Sequence, residues 1–340
     1  LASKGIDVTT VLRRAESNHH LWMPKPREHD EFASAEFRAL VGQALSAQHF
    51  DVIQAEFFQM AQHVPRGLPA LRVLTEHEIV FSNYQLAFRE ERRFWRKLIK
   101  GYDWLVQLNY EARACRHFHR VACMTDEDRA ILGRFVVSSR LRTIPIGVDS
   151  TYFDPQQVPA QESSRRMLFV GNYRHPPNRD AVHFFVREIL PQIRQEVPEA
   201  EFCVAGSNAQ LLNQQVLREA DGVRVAGYAP DIRSCYRSAS LFVAPILTGT
   251  GMRVKLLEAL SMGMAVVATP LAAQGFRSTN GQAMLIASTA GSFAEHAVRL
   301  LRNPELRSSL GTKAREMIQQ RYDWNVVGRQ FLDLVEAPSG

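Results

Sequence analysis

The sequence holds no apolar run long enough to cross a membrane. The longest, Leu241 to Leu247, is seven residues and contains Pro245, against about 20 for a bilayer-spanning helix. Leu1 to Arg14 lacks the apolar core and small-residue site of a secretory leader, so none is expected there. Cysteine is scarce. Cys115, Cys123, Cys203 and Cys235 form no CxxC pair and no metal-type spacing with histidine, so reduced thiols in a cytoplasmic protein are expected. No Gly-x-Gly-x-x-Gly run follows an expected strand with an acidic residue about 20 positions on, which argues against a nicotinamide dehydrogenase. Nor is charge of one sign in large excess. With 41 basic and 35 acidic residues the chain carries +6, which suits an anionic ligand or membrane surface but is too diffuse to indicate nucleic acid.

What is present is an ordinary globular composition, 46% hydrophobic and 22% charged over 340 residues. That excludes disorder as the dominant state and is long enough for two domains. In the C-terminal half, short apolar runs recur at Met167–Val170, Glu201–Ala205, Val223–Ala226, Leu241–Pro245, Ala265–Thr269 and Met284–Ala287. Between them lie helical patterns, such as Val182, Phe185, Val186, Ile189 and Ile193 behind an expected cap at Asn178. Strands alternating with helices predict a parallel sheet covered on both faces.

The N-terminal half repeats the pattern more faintly, with expected strands at Ile6–Leu12, Asp51–Phe57, Leu71–Thr75, Val121–Met124 and Arg142–Ile146. A long helix is expected from Phe88 to Phe118, with Phe88, Trp95, Leu98, Ile99, Tyr102, Leu105 and Val106 on its core face. Gly147 to Ser164 has two prolines and no periodicity, the composition of a linker. The opening Leu1-Ala-Ser-Lys-Gly5 reads as the end of a helix, so the chain is expected to begin inside a domain and to lack its first strand. The expected division is 1–148, a linker at 149–164, 165–322, and a closing amphipathic helix, 323–340, returning to the first domain. The fold class expected is α/β, with two doubly wound domains facing a cleft, where ligands bind at strand carboxyl ends.

One stretch concentrates the chemistry, Ala244-Pro-Ile-Leu-Thr-Gly-Thr-Gly-Met-Arg-Val-Lys-Leu-Leu-Glu-Ala-Leu-Ser-Met-Gly263. A strand ends, a loop with Gly249, Thr250 and Gly251 follows, and a helix is expected after Thr250. Glycines allow close backbone approach, and a helix start offers free N–H groups to an anion. Arg253 and Lys255 then fall in the first turn, where the helix dipole disfavours cations by about 0.3–1 kcal/mol each unless a phosphate is bound. Glu258 sits in an otherwise apolar helix, and a buried carboxylate needs partners such as a ribose diol. A simpler pairing of Lys255 with Glu258 at i, i+3 fits the same spacing.

These residues resemble the donor site of retaining nucleotide-sugar glycosyltransferases of the GT-B fold, specifically glycosyltransferase family 4 (group 1). The resemblance runs through Leu168-Phe-Val-Gly-Asn-Tyr, Pro177-Asn-Arg-Asp-Ala, Gly227-Tyr-Ala-Pro-Asp, the Gly249 to Leu260 segment, Glu76-His-Glu and Ile144-Pro-Ile-Gly-Val-Asp. It implies that Arg253 and Lys255 neutralise the donor diphosphate and that Glu258 binds the ribose hydroxyls. Gly171 and Asn172 would lie close to the phosphates, and the backbone of Tyr228 to Ile232 would contact the base. His77 would face the donor sugar; a strand-end histidine bonded to Glu76 or Glu78 is the alternative. Where relatives place a glutamate eight residues before Glu258, this chain has Thr250, as in a Gly-rich variant of the motif. Relatives also place Arg and Lys after the first glycine loop, where Arg174 is the candidate substitute.

The implied activity is transfer of a sugar from a nucleotide diphosphate sugar to an acceptor hydroxyl in polysaccharide or glycolipid synthesis. No cofactor and no metal are expected. The acceptor would be lipid-linked. The stretch Arg89–Lys100, with six basic residues, reads either as a peripheral contact with the inner membrane face or as a solvated basic face on a packed helix. Two other activities compete, a GT-B sugar-nucleotide epimerase and a non-catalytic nucleotide-sugar-binding protein.

Overall fold

The computed structural model describes residues 5–12, 26–159, 163–213, 217, 220–249, 251–276 and 280–337. The chain divides into two compact units, 1–143 with 333–340, and 144–332.

The first unit is built on a parallel sheet of β1 (Val52–Glu56), β2 (Leu71–Glu76), β3 (Arg120–Cys123) and β4 (Leu141–Thr143), paired in that order. Val73, Leu74, Val121, Ala122 and Cys123 are wholly buried, because strands covered on both faces are apolar without alternation. Ile6 to Leu12, expected as a strand, forms none. Its Ile6, Val8 and Leu12 are exposed and pair with no strand among the described residues. Residues 1–4, on which the expected helix end falls, lie outside the described residues; Gly5 takes φ +69°.

Between β2 and β3 the expected single helix is a hairpin of two, Val80–Glu90 and Phe94–His117. Glu91 is extended; its carboxylate accepts from the Arg93 N–H (3.0 Å) and pairs with Lys100 (3.0 Å), which turns the chain back. Phe88 then stacks on Trp104 at 5.7 Å, and a Cβ on Gly101 would stand only 3.1 Å from the Phe88 ring. The face expected to be core, with Trp95, Leu98, Ile99, Tyr102 and Leu105, is the exposed one, Trp95 at 75% and Ile99 at 62%. The second helix is apolar on two sides. The side bearing Ala112, Cys115, Gln107 and Glu111 is the one buried.

The second unit carries six parallel strands, β5 (Ser163–Val170), β6 (Glu201–Ala205), β7 (Val223–Gly227), β8 (Ala239–Ala244), β9 (Ala265–Ala268) and β10 (Leu285–Ile286). Their spatial order is β7-β6-β5-β8-β9-β10. The winding reverses between β5 and β8, and such a reversal opens a crevice at the strand carboxyl ends. The helix after β5 starts at Pro176, two residues ahead of the expected Asn178 cap, with His175 as N-cap. Proline at the first helical position explains the earlier start. Residues read as linker are bound to this unit. Arg315 donates to the carbonyls of Phe153 (3.1 Å) and Ser261 (2.6 Å) and pairs with Asp154 (3.1 Å). Val148 bridges to Asp323, and a Cβ on Gly147 would collide with the Trp324 ring at 2.6 Å. The closing helix runs Trp324–Glu336, and the carbonyls of Leu334 and Ala337 accept from Arg120.

Candidate functional site

β5 and β8 end side by side, and each runs into a glycine loop. After β5, the Gly171 N–H donates to Ala205 O (3.0 Å), which ties this loop to the end of β6. Gly206, at φ +120°, lies so close that an added Cβ would stand 2.0 Å from Gly171 O. Asn172 Oδ1 accepts from the Arg174 N–H and from Asn208 Nδ2, both at 3.0 Å. The Arg174 side chain is exposed, and the bonds described for this residue are made by its backbone.

After β8, Gly249 and Gly251 take φ +89° and +82°, conformations that side-chain-bearing residues rarely adopt. Thr250 lies outside the described residues. The helix begins at Val254, not directly after Thr250; Arg253 is its extended N-cap (φ −97°, ψ 101°) and Lys255 its second residue. The left-handed Gly251 and the extended Arg253 delay the helical turn. A Cβ on Gly249 would meet the Arg253 guanidinium at 3.4 Å and Pro177 at 3.5 Å, so that guanidinium lies across the glycine loop.

Lys255 joins the two loops. Its Nζ donates to Asn178 Oδ1 (2.7 Å) and sits 4.4 Å from the centre of the Phe169 ring on β5. Asn178 Nδ2 in turn donates to Asn172 O (2.8 Å). Lys255 thus turns towards Asn178 and not towards Glu258, which decides against the i, i+3 pairing. Burial, and then the Arg253 charge, push the Lys255 ammonium down to about 7, with Glu258 offsetting part of this.

Glu258 accepts from the Tyr236 hydroxyl at 2.7 Å. Burial raises its carboxyl above the usual range, although the Tyr236 bond and Lys255 both act the other way. Tyr236 is itself buried, on a short helix, Arg233–Arg237, that follows the loop Tyr228–Ile232 after β7. Tyr228 is exposed, whereas Ile232 packs on the core and its carbonyl accepts from the N–H of Cys235 (3.0 Å). One cation at a helix start, a second in its first turn and a carboxylate one turn further along suit an anion followed by a diol.

His77 belongs to the other unit. It follows β2, and its Nε2 bonds Glu56 Oε2 on β1 at 2.6 Å, so its partner is neither Glu76 nor Glu78. Its ring stacks on Phe57 with centres 4.0 Å apart. Burial raises the Glu56 carboxyl, but His77, Thr75 and Gln54 outweigh it and hold the group below its ordinary value. Phe57 has φ 68°, the left-handed side for a bulky residue, and that places its ring on His77. The Asp126-Glu-Asp128 triplet is a helix start, capped by Thr125, where acidic residues oppose the positive dipole end.

Sequence reasoning missed Asn178 as a bridge, Tyr236 as the partner of Glu258, Phe169 beneath Lys255, and the Glu56–Phe57 pair around His77. Asn178 and Phe169 carried a signal, through their places in the Pro177-Asn-Arg-Asp and Leu168-Phe-Val-Gly motifs.

Residues 164–303 match the family model described as glycosyl transferases group 1. The phosphatidyl-myo-inositol mannosyltransferase of Mycolicibacterium smegmatis is 30% identical over 229 residues, 62% of this chain and 58% of that protein. The chain therefore spans under two thirds of that relative's length. Among solved structures, sucrose-phosphate synthase from Thermosynechococcus elongatus superposes with a TM-score of 0.70 over 94% of this chain and 81% of that one, at 18% identity. Anabaena HepE in complex with UDP superposes with a TM-score of 0.65 over 88% and 82%, at 13% identity.

Proposed function

We propose that this chain transfers a sugar from a nucleoside diphosphate sugar to an acceptor hydroxyl, since residues 164–303 match the glycosyl transferases group 1 model and the fold is that of GT-B glycosyltransferases. The observation that carries the reading is the Lys255–Asn178–Asn172 link across the ends of β5 and β8. It holds an ammonium, beside Arg253, where the two glycine loops meet. The UDP bound to HepE agrees with that ligand class.

In this mechanism the bond between the sugar C1 and the diphosphate oxygen breaks as the acceptor oxygen bonds to C1 on the same face. The departing diphosphate takes the acceptor proton, and configuration is retained. Arg253 and Lys255 are the fixed charges placed where negative charge grows, and in this proposal they take the part of a metal ion; no cofactor is needed. Glu258 receives the ribose hydroxyls, its second partner being Tyr236. Gly171, Asn172 and Gly249 to Gly251 border the phosphates, Tyr228 to Ile232 the base. Arg174 and His77 are assigned on resemblance, His77 to the sugar.

A lipid-linked acceptor, met by a protein peripheral to the cytoplasmic face of a membrane, agrees with the name of the mycobacterial relative. The test is titration with UDP, GDP and ADP by calorimetry and thermal shift, with Arg253→Ala beside the parent chain. At 100-fold excess over Kd a nucleotide adds about 2.7 kcal/mol of stability, or a few degrees in Tm. Binding that survives Arg253→Ala unchanged, or no binding at all, refutes the donor site. Products formed from donor with and without acceptor then separate transfer from epimerisation and from binding alone.

A further inference from the structure

The second helix of the hairpin presents an apolar face that nothing in the described structure covers. Phe94, Trp95, Leu98, Ile99, Tyr102 and Leu105 are each more than half exposed, at spacings that place them on one side of Phe94–His117. The opposite side is already committed, since Trp104 stacks on Phe88 and Cys115 is buried in the core. Soluble monomers rarely leave so continuous an apolar strip to water. Basic residues border it. Arg92 and Arg93 occupy the hairpin turn and Arg96 stands exposed beside Trp95, while Lys97 lies 5.3 Å from the Phe88 ring centre. Of the two acids in Arg89–Lys100, Glu91 is already neutralised by Lys100.

We propose that this face, Phe94 to Leu105 with its rim of Arg92, Arg93 and Arg96, lies in the surface of an anionic lipid bilayer. The inference deepens the peripheral reading above by naming the surface and the kind of lipid. Aromatic rings settle at the headgroup level, aliphatic side chains reach the acyl boundary, and the long basic side chains extend to phosphates. No helix among the described residues is long and apolar enough to span a membrane, so the contact lies in the plane. A second copy of the chain is the weaker occupant, because a two-fold contact would bring two arginine-rich rims together.

The experiment is sedimentation of the full chain with phosphatidylcholine vesicles, with and without phosphatidylglycerol. It compares the parent with Trp95→Ser/Ile99→Ser and with Arg92→Glu/Arg93→Glu, and follows the thermal melt of each as a folding check alongside UDP binding. We expect binding to the phosphatidylglycerol vesicles that each double variant weakens by roughly tenfold or more, with UDP binding unchanged and with salt weakening only the charge-dependent part. Parent chain that sediments while both variants sediment equally well overturns this surface and leaves the peripheral reading standing. Parent chain that does not sediment overturns both. A concentration-dependent dimer lost in Trp95→Ser/Ile99→Ser, without vesicle binding, assigns the face to a second copy and also overturns the proposal. None of these outcomes bears on the donor site, which the UDP titration reads separately.

Discussion

Lys255 makes nucleotide binding a titration. Its ammonium is brought down from 10.5 to about 7 by burial and by Arg253. A diphosphate against the same Nζ reverses that balance and draws the group back towards its ordinary value, so binding takes up a proton. The sign follows: affinity is full below about 7 and declines as pH rises through it. If the bound value exceeds 9, the apparent Kd of UDP rises roughly fifty-fold between about pH 7 and pH 9, since each unit is close to a factor of ten. The last ionisation of a phosphate, near 6, is complete over most of that range and adds little. Calorimetry in two buffers of different ionisation enthalpy at pH 8 would count the proton directly. Lys255→Arg is the control, because a guanidinium stays charged throughout and its affinity should be flat with pH. A parent chain whose UDP affinity changes less than about threefold from pH 7 to 9 would refute the coupling between Lys255 ionisation and phosphate binding.

Three further outcomes follow from the packing. Tyr236→Phe removes the hydroxyl that Glu258 accepts from at 2.7 Å, and urea unfolding should register a loss of about 1.5–3 kcal/mol with a weakened response to UDP. Gly206→Ala places a Cβ 2.0 Å from Gly171 O at a φ of +120°; a loss of at least ~3 kcal/mol is expected, and a thermal melt within a degree of the parent would contradict the close approach. Glu111 is raised to about 8 by burial, and Glu76 beside it is raised in the same way. The native state therefore holds protons that the unfolded chain releases above about 4.5, so the urea midpoint should fall as pH climbs from 4.5 towards 8.

The strands of the second unit were legible because each is buried on both faces, and an uninterrupted apolar run is what such burial demands of a sequence. The glycine loop before Arg253 was legible for a similar reason, since Gly249 and Gly251 occupy backbone conformations that few other residues enter. The helix Phe94–His117 was misread because it is apolar on two sides; periodicity detects both, and only the neighbouring Val80–Glu90 helix decides which one faces inward. Ile6–Leu12 has the composition of a strand but no pairing neighbour among the described residues, and pairing is not a local property. The partners inside the site are equally non-local. Tyr236 and Glu258 are 22 positions apart, His77 and Glu56 21, and Lys255 and Asn178 77, so the fold brings together what no spacing could announce.

Phe57 carries a consequence of its own. A phenylalanine at φ 68° holds on the order of 1–3 kcal/mol of backbone strain, and glycine would release it at once. The same exchange would strip the ring from the face of His77 and leave only Glu56 to orient the imidazole. Backbone relaxation and the seating of the His77 ring therefore pull this position in opposite directions.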